Sequence, residues 1–289
     1  MKENSVVVLV GLAILIALPL VTSAYFLHLA IQILLWGFVY TAWSMMGRFG
    51  LVSLGHGAFM GIGAYVPALL WNYYDMTPWL GIPLGVVLSA LLGLVIGYPC
   101  FRLKVVGHYF ALVTLALSQV VLLSIVAARD ITGGSLGMTP RSIGHSWYAL
   151  QFPDKIYFYA IAVIVWLLGL IVWRAIDQGI GREALEAISD DEEAAAAVGI
   201  DVTREKLRVT VISAALTALG GALLTISLNE GLRVAFATNF IGAANTIYGV
   251  LLILCIIFMP QGVVGTLQRT TLRRSSAPKP ATAKSGVTN

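Results

Sequence analysis

Apolar runs long enough to cross a bilayer, joined by short polar breaks, constrain this chain more than any motif in it. A span needs roughly 20 mostly apolar residues. By that measure about eight runs qualify: 6–27, 29–47, 58–74, 79–98, 108–128, 156–173, 207–228 and 240–259. Hydrophobic residues make up 58% of the 289 and charged residues only 11%, where a soluble domain carries nearer a quarter charged. The fold class is therefore an all-α polytopic membrane protein with about eight transmembrane helices. Residues 1–267 form the transmembrane domain. Residues 268–289, rich in Ser, Thr, Pro, Lys and Arg, have no apolar periodicity and read as a basic disordered tail. That tail solubilises the terminus and can touch anionic membrane lipid.

The N-terminus loosely imitates a signal peptide, with Lys2, an apolar run, and then Thr22, Ser23 and Ala24. The run is long, Glu3 weakens the basic region, and the next apolar segment follows at once, so the reading is a retained first span. Lysine and arginine set the orientation. With the N-terminus in the cytosol, 14 of the 18 basic residues fall on the cytosolic side; only Arg129, Arg141, Lys155 and Arg233 fall on the other. An even span number then places both termini in the cytosol, together with the polar interval 175–206.

Within that interval, GREALEAISDDEEAAAAVGI at 181–200 is the longest strongly polar stretch between apolar runs. Two short helices are expected. The first covers 182–188, and Ser189 starts the second as N-cap with Glu192 three residues on, a capping-box spacing. Asp190 and Asp191 fall in the first turn, where carboxylates complement the macrodipole, and Gly199 suits the position just past the last turn. Flanked by spans, this reads as a small helical platform at the membrane surface. A solvated loop with some helix is the plainer alternative.

Several classes of chemistry are excluded. The pI near 9.1 does not argue for nucleic acid, because the basic residues lie between spans and in the tail. Cys100 and Cys255 sit at or inside apolar runs and form no metal spacing. The loop RDITGGSLGMTP at 129–140 contains a literal G-x-S-x-G around Ser135. It reads as a turn, because no strand-to-helix elbow or acid partner for His145 accompanies it. No G-x-x-x-x-G-K-[ST] occurs, so ATP would be bound by another polypeptide, and this chain calls for no cofactor.

RFGLVSLGHGAFMGIG at 48–63 interrupts the apolar pattern. Irregular backbone at membrane depth is tolerated only when buried in protein or lining a cavity, and helix ends there can face a solute's charged groups. Ser53, Gly55, His56 and Gly57 are the candidates for a substrate path. The alternative is packing, with His56 capping a helix or bonding a carbonyl. Thr114 and Ser118 share one face of the fifth span, with Gln119 beside them. These groups, like Asn245 in the last span, bond another helix or line the path. Glycines four apart at Gly57 and Gly61, Gly81 and Gly85, and Gly93 and Gly97 allow close helix approach. No Asp, Glu, Lys or Arg sits mid-span, which counts against a proton-coupled carrier.

Taken together, SLGHGAF at 53–59, GIGAY at 61–65, GHYFALVTLALSQ at 107–119, TGGSLGM at 132–138, the stretch 181–208 and YGVLLILCIIFMPQGVVG at 248–265 resemble one family. It is the permease family of branched-chain amino acid ABC importers. The resemblance implies a bacterial inner-membrane subunit that carries leucine, isoleucine and valine. It implies a second homologous permease, two cytosolic ATPase subunits that hold ATP-Mg, and a periplasmic or lipoprotein solute-binding protein. It also implies that the platform is the loop that couples to the ATPases, through Gly181, Arg182, Ala187, Ser189, Asp190, Glu192 and Gly199. Two departures stand out. The resemblance implies a further apolar segment and a GGxG-type stretch after the seventh span, whereas here 229–239 leads almost directly into 241–259. Gln119 stands where many members have Glu. The alternatives are a permease for urea, short amides or other amino acids, an ATP-independent channel or carrier, and a degenerate non-conducting subunit.

Overall fold

The computed structural model describes residues 22–235 apart from 106, 145 and 153, together with residues 15 and 17–19; side chains at 24, 25, 180 and 228–235 are left aside. The elements are α1 (Ala24–Gly47), α2 (His56–Tyr74), α3 (Pro78–Arg102), α4 (His108–Ala127), the single turn α5 (Arg129–Thr132), α6 (Lys155–Gln178), α7 (Ile180–Asp190), α8 (Glu192–Ala197) and α9 (Val202–Ala235). Among the described residues there is no strand, only an isolated bridge between Ser146 and Gln151.

Among the described residues five helices are long and apolar enough to cross a membrane: Phe26–Gly47 of α1, α3, α4, α6 and Val202–Ser227 of α9. With α2 they cover six of the about eight expected runs. Helix α2 has 19 residues, but its glycines, His56, Asn72 and tyrosines leave it less apolar. The run 6–27 lies mostly, and the run 240–259, Asn245 and the tail wholly, outside the described residues. One boundary moves. The chain bends at Thr22, whose hydroxyl donates to the Leu18 carbonyl at 2.7 Å, and α1 starts at Ala24 rather than at 29.

Helix α9 is the centre of the bundle. In its span 72% of residues are buried, against 17–39% in the other four. Between apolar helices in lipid, close van der Waals fit replaces the hydrophobic effect as the adhesive, and this chain achieves it with small residues. On α3, Gly81, Gly85, Ser89, Gly93 and Gly97 recur every fourth position and are all buried. Ser89 also donates to the Ala214 carbonyl of α9 at 3.0 Å. Helix α2 crosses α9 closer still. A Cβ at Gly63 would lie 2.0 Å from the Ala218 carbonyl oxygen, and one at Gly221 would lie 2.2 Å from that of Met60. No side chain fits at either point. Among the described residues Gly57 and Gly61 make no such close approach: a Cβ at Gly57 would meet nothing within 4 Å, and one at Gly61 would meet the tip of Ile125 at 3.9 Å.

The platform has two helices, as expected, but its joint differs. Helix α7 continues to Asp190, and the N-cap of α8 is Asp191 rather than Ser189. The Asp191 carboxylate accepts from the N–H groups of Glu193 at 2.9 Å and Ala194 at 3.0 Å. Tertiary packing decides this. Leu185 and Ile188 are buried, which extends α7, and Glu192 is drawn away to Lys206 at 2.6 Å, so a reciprocal capping box cannot close. Gly199, at φ +92°, ends α8 as expected. Its N–H donates to Ala196 and that of Ile200 to Ala195, at 3.0 and 3.1 Å, the double bond of a Schellman ending.

Candidate functional site

Between α1 and α2 the chain leaves the helix for the eight residues 48–55, Arg48 keeping the last helical bond, to Ser44 at 3.1 Å. The N–H groups of Phe49, Gly50 and Leu51 fold back onto Met46, Gly47 and Met46, with Gly50 at φ +73°. Residues 51–55 then have no repeating partner, and a buried backbone must find one. Side chains from two helices and from the break itself supply it. The Trp43 Nε1–H donates to the Ser53 carbonyl at 2.9 Å. The Leu54 N–H donates to the Thr114 Oγ1 of α4 at 3.0 Å, and the Gly55 N–H donates to the Ser53 Oγ at 3.2 Å. Gly55 permits this approach, since a Cβ there would lie 2.7 Å from the Thr114 carbonyl oxygen.

His56, the first residue of α2, completes the arrangement. The Ser213 hydroxyl of α9 donates to the Ala42 carbonyl at 2.7 Å, so its proton is committed. The His56 Nε2, 2.8 Å from Ser213 Oγ, must therefore donate, and Nδ1, 3.2 Å from Ser53 Oγ, accepts the Ser53 proton. This network assigns a neutral imidazole in its Nε2–H tautomer. The Phe59 ring stands edge-on to it at 5.7 Å. A directed chain of hydrogen bonds thus joins α1, the break, α2 and α9. One turn further along α9, the fully buried Thr217 hydroxyl has no partner among the described residues.

Of the expected path residues, Ser53, Gly55, His56 and Thr114 come together in this network, all buried. Gly57 and Gln119 are exposed and stand apart from it. The network joins helices to one another, and within it His56 bonds the hydroxyls of Ser53 and Ser213 rather than a carbonyl.

The platform is fastened at the same end of the bundle. Arg48, the residue after α1, forms an ion pair with Asp177 of α6 and lies 3.9 Å from Glu186 of α7. Its guanidinium also lies over the Trp173 ring, 5.6 Å from the centroid. Glu186 accepts from Arg182 Nε at 2.8 Å, so the four charges form a ladder. The Glu186 hydrogen bond raises the Arg182 pKa above its ordinary value. Ser189 Oγ lies against Gly50, 3.4 Å from where a Cβ would stand. Glu192 pairs with the buried Lys206, and Glu193 with Lys104 at 3.4 Å. Gly181 and Ala187 lie within α7, the latter accepting the Asp191 N–H at 3.0 Å, while Asp190 is exposed. Sequence reasoning missed Arg48, Asp177, Lys206 and Ser213. The 3,4 spacing of Thr210, Ser213 and Thr217 marked one polar face of α9; nothing local marked the ion pairs. Among the described residues no cluster of His, Cys, Asp and Glu could hold a metal ion.

A bundle with five apolar spans among the described residues, a break whose residues alternate between buried and exposed, and a clamped polar platform defines a multi-pass membrane protein. Residues 25–270 match the family described as the branched-chain amino acid transport system permease component, and the chain belongs to that family. It is 32% identical over 202 residues to the high-affinity branched-chain amino acid transport system permease proteins LivM of Salmonella typhimurium and Escherichia coli, covering 62% of this chain and 47% of each relative. It is 25% identical over 169 residues to a probable LivM of Methanocaldococcus jannaschii, covering 56% of this chain and 48% of that one. The chain thus spans about half the length of the curated relatives it matches. No solved structure matches it.

Proposed function

We propose that this chain is a permease subunit of an ATP-binding cassette importer for branched-chain amino acids, working beside a second permease in a bacterial plasma membrane. The platform carries this reading. Two short helices, each with its own termination, are held on buried Leu185, Ile188 and Ala195 and tied by ion pairs to Arg48 next to α1, Lys104 next to α3 and Lys206 of α9. A loop that only joined two spans would need none of this. A rigid block in contact with several helices can pass a push from a moving partner into helix reorientation. In this reading both termini and the platform are cytosolic, and two ATPase subunits seat on the platform's outer face, where Asp190 and Val198 are exposed. A solute-binding protein delivers from the other side. The solute passes between this chain and its partner permease along α4, whose exposed Gln119 amide is costly against lipid and calls for protein or water.

The test is uptake of labelled leucine by a strain lacking this gene, with and without the chain restored. Restored uptake that stops on ATP depletion is expected. Uptake that survives depletion makes the chain an ATP-independent carrier and overturns the proposal.

A further inference from the structure

Resting on the permease reading, we propose that Arg48 is a coupling residue: it links the platform directly to the broken segment, so that platform movement reaches the His56 network without bending a helix. Three observations on different elements converge here. Arg48 touches the platform through Glu186, the start of the platform's incoming connection through Asp177, and the ring of Trp173 one turn earlier on α6. Gly50, two residues on, lies against Ser189 of the platform. Three residues after Gly50, Ser53 accepts from Trp43 and donates to His56, which holds Ser213 of α9.

The platform's other ties, Glu192 with Lys206 and Glu193 with Lys104, end at a helix start and just past a helix end. A helix under load moves as a rigid piece. An irregular segment absorbs φ/ψ change, and movement there is local. Lys104 also lies in an irregular segment, between α3 and α4, but the segment that starts at Arg48 is the one that contains Ser53 and runs straight into His56. A guanidinium suits the task, because it can pair with two carboxylates and stack on an aromatic face at once, which an ammonium cannot. Removing the link should uncouple transport while leaving the platform available to its ATPase.

The experiment uses the full chain in its native-membrane complex, reconstituted into liposomes, with ATP hydrolysis and leucine uptake read together. Arg48→Glu should keep hydrolysis near wild type while uptake per ATP falls about fivefold or more. Arg48→Lys should give an intermediate ratio, and the swap Arg48→Asp with Asp177→Arg should recover part of it. A wild-type ratio in Arg48→Glu overturns the inference and leaves the permease reading standing, whereas ATP-independent uptake by the wild type overturns the reading itself. If Arg48→Glu fails to accumulate, Arg48→Lys and the swap decide. An unchanged ratio in Arg48→Lys, or no recovery in a swap that does accumulate, also overturns it.

Discussion

The two ends of the bundle hold their connecting segments by different physics. The platform is fastened with charge: Glu186 to Arg48, which also pairs with Asp177 of α6, Glu193 to Lys104 and Glu192 to Lys206. The long connection between α4 and α6 is fastened by donors aimed at backbone carbonyls. Trp71 Nε1–H donates to Arg141 at 2.6 Å, Trp79 Nε1–H to Trp147 at 2.9 Å, and Gln151 Nε2–H to Arg141 at 3.0 Å. Tyr73 reaches Ile131, and the Arg141 N–H donates to Asn72. Its described ion pair is Arg141 with Asp75. Carbonyl-directed bonds need one loop conformation and are indifferent to ionic strength. Exposed ion pairs can be exchanged for other charges as a partner moves. One end is built as a fixed cap, the other as a mount that can yield.

The comparison can be broken or sharpened in four ways. Both segments stand on the same crossing of α2 and α9, so Gly63→Ala should disturb both at once. Its Cβ meets backbone rather than a flexible tip, and a cost of about 3 kcal/mol is expected. Thermal unfolding in mild detergent reads it; an unchanged midpoint contradicts the crossing. Next, Lys206→Met keeps the side-chain bulk and strands Glu192, which should loosen the platform by about 2 kcal/mol. Hydrogen exchange should quicken at 192–200 and stay unchanged at 128–154. Third, Trp71→Phe removes one donor to the Arg141 carbonyl, for about 1 kcal/mol. Here exchange should quicken near 141 and leave the platform alone. The smallest effect is that of salt. Lys104 and Glu193 are 70% and 86% exposed in their side chains, and such pairs contribute under about 1 kcal/mol. Raising ionic strength should slightly quicken exchange in α8, and an equal response at 128–154 would erase the distinction.

Much of this arrangement was legible in the sequence. The runs 79–98 and 108–128 fall on α3 and α4, because length and apolarity alone determine them. The glycines and Ser53 in 48–63 announced a break, and the structure puts one at 48–55. Its meaning was not legible. The His56 partner Ser213 is 157 residues away and the Arg48 partner Asp177 is 129 away, so each residue looked local. Arg48 read only as an orientation signal at a span end. The N-cap was misplaced because the Ser189–Glu192 spacing pointed to Ser189, whereas burial of Leu185 and Ile188 made the choice, and no three-residue pattern contains that.

Helix α9 runs for 34 residues, about 51 Å at the usual rise, against a hydrocarbon layer of about 30 Å. Its midpoint falls at Ala218, where α2 comes so near that Gly63 can carry no side chain. A long rod pinned at its middle is a lever with a fulcrum. A tilt of about 5° there carries each end about 2 Å in opposite directions. The pin lets the two ends exchange movement without either sliding through the bundle.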